Sequence, residues 1–176
     1  LIDPTGTSAL AGIQMSGAGG RYGTINGLTI VGNTIRNFSE AGTAAIEFGS
    51  GSAPKGIAIR ENVITSLSTS GTYSAIYFNC PVTDLSVAGN RIDGTSADFR
   101  GITFLHGDVE NINIGGNSVK ILASNSAFFT TFGSDSTVNR CTVGGNILTS
   151  EAPTFKAVHC KAPIANLTVT ENTIDG

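Results

Sequence analysis

The chain has 176 residues, of which 40% are hydrophobic and only 13% charged, with 23 Gly, no Trp, and 13 acidic against 10 basic residues. That length suits one domain with a sizeable core, and low charge with regular apolar spacing excludes a disordered chain. No stretch approaches the roughly 18 apolar residues of a membrane helix, so membrane insertion is not expected, and a net charge of −3 without a basic run argues against a nucleic-acid partner.

In chain order, residues 1–11 are expected to form at most an irregular cover or partial coil. From residue 12 to 176 two short phrases alternate. GIQM (12–15) opens the series and LTIVGNTI (28–35) follows. Then come AIEF (45–48), IAIRENVI (57–64), AIYF (75–78), LSVAGNRI (85–92), GITF (101–104) and INIGGNSV (112–119). TTF (130–132), CTVGGNIL (141–148), AVHC (157–160) and LTVTENTI (167–174) complete it. The longer phrase reads apolar-x-apolar-x-x-Asn-x-apolar. Its Asn falls at Asn33, Asn62, Asn90, Asn117, Asn146 and Asn172, at intervals of 29, 28, 27, 29 and 26. Both phrases alternate apolar and polar residues, the period of a strand with one buried face. The pieces between them, such as RNFSEAGTA (36–44) and TSLSTSGTYS (65–74), carry the Gly, Ser and Thr of turns.

A repeat near 28 residues with an Asn turn fits two solenoids. INGLTIVGNTI (25–35) matches the leucine-rich pattern, but such repeats usually close their convex side with a helix. The second halves here are β-patterned and too rich in Gly, Ser and Thr for one. The preferred reading is all-β: a single-stranded right-handed parallel β-helix of about six coils of 26–29 residues, the hand following the general preference of parallel connections. Three inward columns are expected. One holds Met15, Phe48, Phe78, Phe104, Phe132 and Cys160. The second holds Ile30, Ile59, Val87, Ile114, Val143 and Val169. The third holds Ile35, Ile64, Ile92, Val119, Leu148 and Ile174. The Asn column should form a structural hydrogen-bond ladder, because Asn tolerates tight-turn backbone geometry.

The repeats resemble those of the pectin-lyase-like superfamily of right-handed parallel β-helices, through the GN-T-I type phrases spanning roughly residues 12–174. The superfamily includes pectate and alginate lyases, polygalacturonases, mannuronan epimerases and bacteriophage tailspikes. What the resemblance implies is an extended anionic or neutral glycan lying along a flat, outward-facing sheet. It also implies a homotrimer if the chain is a spike. No catalytic motif of the family can be placed on these residues, and the calcium-binding nonapeptide repeat is absent, since GGNS and GGNI lack its Asp.

Outward on the second phrase lies the column Gln14, Glu47, Tyr77, Thr103, Thr131 and His159. Glu47, Tyr77, Thr103 and His159 are the candidate substrate-binding residues: Tyr77 to stack on a sugar ring, Glu47 to accept hydroxyl hydrogen bonds. Glycoside hydrolysis calls for two carboxyl groups about 5 Å or 6.5–9.5 Å apart. No such pair appears within a column, since Glu61 and Glu171 stand four coils apart, or about 19 Å. Two weaker constellations remain: His106 with Asp108 or Asp135 as an acid–base or metal cluster, and His159 with Lys161 as a lyase-type base and neutraliser. No catalytic residue is assigned, enzymatic activity stays open, and neither metal nor cofactor is expected. The expected function is the β-helix module of a bacteriophage tailspike or similar surface appendage that recognises host polysaccharide, on a virion surface or outside the cell. A secreted polysaccharide lyase, hydrolase or epimerase core and a non-catalytic adhesin or shaft are the alternatives.

Cys80, Cys141 and Cys160 are odd in number and lack metal-ligand spacing, so buried reduced thiols are expected. There is no initiator Met and no signal-peptide pattern; the abrupt start at Leu1 and stop at Gly176 suggest a piece of a longer chain. A flanking domain or another subunit is expected to cover the C-terminal end, where the last phrase runs out without a polar cap.

Overall fold

A computed structural model describes residues 11–15, 23–38, 44–66 and 71–176. The irregular segment expected over 1–11 falls outside these residues, Ala11 apart. The described residues contain no helix; they form parallel strands wound into a solenoid of about five turns. Every strand pairing is parallel, linking each coil to the next.

The register reproduces the expected columns. Met15 pairs with Phe48, Phe48 with Phe78, Phe78 with Phe104, Phe104 with Phe132, and Phe132 with Cys160. The Ile30–Val169 and Ile35–Ile174 columns are likewise in register throughout. Alternation drives this arrangement: a shift by one residue would turn each apolar set out to water. Cys80 and Cys141 are buried and Cys160 half-buried, all as free thiols. Burial pushes the Cys141 thiol up to about 12, with the nearby Cys160 adding to the effect, so it is not a nucleophile near neutral pH.

The Asn ladder is continuous. Asn33, Asn62, Asn90, Asn117 and Asn146 each donate from the backbone N–H and from Nδ2 to Oδ1 of the Asn in the next coil, over 2.8–3.1 Å. The residue before each Asn turns the chain through the left-handed region. Gly32, Gly89, Gly116 and Gly145 fill that place in four coils, while Glu61 (φ 57°) and Glu171 (φ 54°) fill it in the other two. The two glutamates thus mark a backbone bend and not a pair of catalytic acids.

In two coils the expected turn between the two phrases is continuous strand. Asp98–Gly115 and Ser126–Gly144 run without a break, and their register shifts only between Phe104 and His106. Corners at Asp84, Asn111, Arg140 and Asn166, all with φ between 53° and 59°, bend stacked coils in the same way. Parallel hydrogen bonds therefore persist around the bend, and two faces of the solenoid merge into one 11-stranded sheet.

One core position breaks the apolar rule. Register aligns Ile46, Ile76, Ile102, Thr130 and Val158, and the Thr130 hydroxyl is buried without a hydrogen-bond partner. Thr130→Val keeps the shape and removes the stranded hydroxyl, so it should stabilise the fold by about 1–2 kcal/mol. A urea-unfolding midpoint at or below that of the parent would show that the hydroxyl is satisfied.

Candidate functional site

The outward column is in register: Gln14 with Glu47, Glu47 with Tyr77, Tyr77 with Thr103, Thr103 with Thr131, and Thr131 with His159. Its members are not equally accessible. Glu47, Tyr77 and His159 are half-buried, whereas Thr103 is 0% and Thr131 6% exposed. The Thr103 hydroxyl lies 3.1 Å from that of Ser74, a bond within the sheet surface. Thr103 therefore sits at its expected place but offers nothing to a bulky ligand, its short side chain lying in the row between Tyr77 and Thr131.

At one end of the column Gln14 Nε2 donates to Glu47 Oε2 over 3.4 Å. Burial pushes the Tyr77 phenol up, Glu47 beside it adds to the shift, and Arg100 offsets it in part. The Tyr77 phenol thus lies within electrostatic reach of both a carboxylate and a guanidinium.

At the other end the structure assembles a group that the column alone did not reveal. Arg100, Phe128 and Lys156 are register partners on successive coils. The Phe128 and His159 rings stack at 4.6 Å with 23° between their planes, and Lys156 Nζ lies 5.9 Å from the Phe128 centroid. Arg100, Leu105, Phe128, Thr131, Gly133, Ser134, His159 and Lys161 line one depression of about 240 Å³. His159 is held below the ordinary imidazole range, first by burial and then by the charges of Lys156, Lys161 and Arg100. None of these three cations forms an ion pair among the described residues.

Arg100, Phe128 and Lys156 escaped sequence reasoning because alternation breaks just before Thr103. Counting back in twos from outward Thr103 puts Phe99 outside and Arg100 inside, yet Phe99 is fully buried and Arg100 lines the depression. The kink falls at Gly101, where a Cβ would meet the Phe129 carbonyl oxygen at 2.7 Å. Gly12, Ala45, Ala75, Gly101 and Ala157 stand at this place in five copies of the phrase, and that column of small residues was the signal in the sequence.

The remaining constellation is a surface pair. His106 and Asp135 are register partners, with Nδ1 and Oδ2 3.3 Å apart, and both side chains are exposed. Asp108 instead accepts a hydrogen bond from Thr137. An exposed pair of this kind contributes about 0–1 kcal/mol. Among the described residues no three His, Cys, Asp or Glu side chains come together as a metal site. No protein-family model matches the chain, and neither a curated protein nor a solved structure matches it. The fold assignment therefore rests on strand register and the Asn ladder.

Proposed function

We propose that this solenoid is the β-helix module of a bacteriophage tailspike or similar surface appendage, of pectin-lyase-like type, that recognises host polysaccharide along its outer sheet face. The observation that carries this reading is the single outward row running from Glu47 and Tyr77 to His159, flanked by Phe128. Tyr77 and His159 offer rings for sugar faces and Glu47 a carboxylate for hydroxyls on a rigid support. Coils stack about 4.8 Å apart, so a glycan lying across them meets Glu47 and Tyr77 on adjacent coils and His159 three coils beyond Tyr77. Virion or extracellular placement belongs to the same reading. A polysaccharide lyase is the second reading, favoured by neutral His159 beside Arg100 and Lys161 in one depression.

Binding of a bacterial surface polysaccharide tests the proposal. Tyr77→Ala and Glu47→Gln should each weaken it by about tenfold, the loss of roughly 1.4 kcal/mol. Unchanged binding in both variants would remove this face from the proposal, and accumulation of unsaturated oligosaccharide would favour the lyase.

The proposal includes a cover for the C-terminal end. Val169 and Ile174 are 52% and 55% exposed there, while their counterparts Ile30 and Ile35 in the first coil are buried. Asn172 receives the ladder from Asn146, and among the described residues no further Asn receives from it. A flanking domain or another subunit is the proposed cover for these side chains. Absolute mass by light scattering checks the assignment; a three-chain mass would give the cover to sister subunits.

A further inference from the structure

We propose that His159 is an acid-sensitive latch. As a neutral ring it clasps Phe128 of the adjacent coil and seats the strand Thr154–Cys160 on its neighbour; protonated, it becomes one more cation in a cluster without a counter-ion, and the strand loosens. The inference needs no ligand and goes beyond the glycan reading. It starts from the geometry of the contact. His159 pairs in register with Thr131, and Lys156 with Phe128, so the two stacked rings belong to positions three residues apart along the strands. Flat strands would hold such positions about 10 Å apart. The ring centroids are instead 4.6 Å apart. Phe129 and Thr130 are both buried between them, and this lapse of alternation bends the outer surface towards itself. The stack is thus a clasp between coils, and Lys156 Nζ lies 5.9 Å from the centroid of the same Phe128 ring.

The charges around this clasp are positive. Arg100 comes from Asp98–Gly115, Lys156 from the strand of His159 itself, and Lys161 from the residue after that strand; Arg100, Phe128, His159 and Lys161 line one depression. The acids of the packed strands are engaged elsewhere. Asp98 and Asp108 accept from Ser126 and Thr137, Glu110 pairs with Arg140, and Asp135 is held by His106 and Ser134. No ion pair joins Arg100, Lys156 or Lys161 to a carboxylate among the described residues. Burial first, then the charges of Lys156, Lys161 and Arg100, hold His159 below the ordinary imidazole range. A histidine depressed in this way takes up its proton more readily once the contact opens. The latch is therefore fully closed above about pH 6.5, the ordinary imidazole value, and its stabilisation is lost as pH falls through the lower value of the folded state. Since the cluster borders solvent, salt weakens the effect.

The chain has 2 histidines, so His106→Gln leaves a single imidazole to follow by NMR beside an unfolded histidine peptide. Its titration midpoint should lie below that of the peptide, and should rise with added salt and in Lys161→Gln. Amide hydrogen exchange, corrected for the intrinsic rate at each pH, then reads the strand itself. Protection of Lys156–Cys160 should fall about threefold or more between about pH 7.5 and about pH 5, while that of Ile112–Gly115 changes less than about twofold. In His159→Phe, which keeps a ring beside Phe128 and carries no titrating proton, that acid response should vanish, and Lys161→Gln should diminish it. A midpoint at or above that of the peptide overturns the latch, as does an acid response of equal size in His159→Phe. A response that Lys161→Gln leaves whole overturns it too, a check that does not depend on the ring variant folding. Loss of protection spread evenly over all coils would assign the acid response to the whole fold and not to His159.

Discussion

Asn117→Ala should destabilise the protein by about 3–4 kcal/mol, whereas Asn33→Ala should cost less than about 1 kcal/mol. The two residues occupy the same place in the repeat and differ in what each leaves behind. Asn117 Oδ1 accepts from both the backbone N–H and Nδ2 of Asn90, at 3.0 Å each. Its Nδ2 donates to the Val87 and Gly115 carbonyls at 3.0 and 3.3 Å, and to Asn146 Oδ1 at 2.9 Å. Asn90 and Asn117 are both about 1% exposed, so water cannot replace the lost partner. Truncation strands the buried Asn90 backbone N–H, at about 1–3 kcal/mol less whatever relaxation recovers, and also takes a donor from the Val87 carbonyl. Asn33 begins the ladder among the described residues; it donates to Asn62 and Val31, and nothing there donates to its own Oδ1. Urea unfolding of both variants checks the contrast. Equal losses would mean that the ladder follows from coil stacking and adds nothing to it.

The reach of sequence reasoning follows the same physics. Period-two alternation and the recurring Asn carry register information because a one-residue slip is costly wherever one face is buried. All three inward columns and the outward column could therefore be written down before any strand pairing was known. The merging of two faces into continuous strands over Asp98–Gly115 and Ser126–Gly144 was not legible. It depends on left-handed corners at Asn111 and Arg140, and Arg has no particular preference for that conformation. Accessibility was equally hidden. Thr103 lies on the outward row yet is closed off by its neighbours, a property of adjacent side-chain sizes that column counting does not register. Arg100 and Phe128 needed the kink at Gly101, a local break in the very period used to read everything else. Sites on a regular scaffold tend to gather where its regularity lapses, and among the described residues the cluster of Arg100, Phe128, Lys156 and His159 sits at such a lapse.

Phe104→Ala should cost about 3–5 kcal/mol and also divide the solenoid. Phe48, Phe78, Phe104 and Phe132 form an unbroken stack with centroid separations of 4.7, 5.1 and 5.1 Å and planes within 10° of parallel. All four rings are fully buried. Parallel rings at this spacing follow from in-register coils, with each ring covering the face of the next. Removing Phe104 takes out two ring contacts, each worth about 0.5–1.5 kcal/mol beyond area burial. It also opens a cavity whose walls, held by strand pairing on either side, cannot close over it. Because a coil touches only its neighbours, stability in a solenoid is close to a sum of coil terms and interface terms. The loss therefore falls on the interfaces of one coil, and the variant should unfold in two steps. Hydrogen exchange would report this directly: amides of Ala44–Phe48 and of Ile164–Thr170 should open with separate free energies in Phe104→Ala and with similar ones in the parent. Phe104→Leu, which refills most of the volume without the ring, should recover more than half of the loss and restore a single transition. A variant that unfolds in one step with a loss below about 1 kcal/mol would show that strand pairing, and not the aromatic stack, couples the coils.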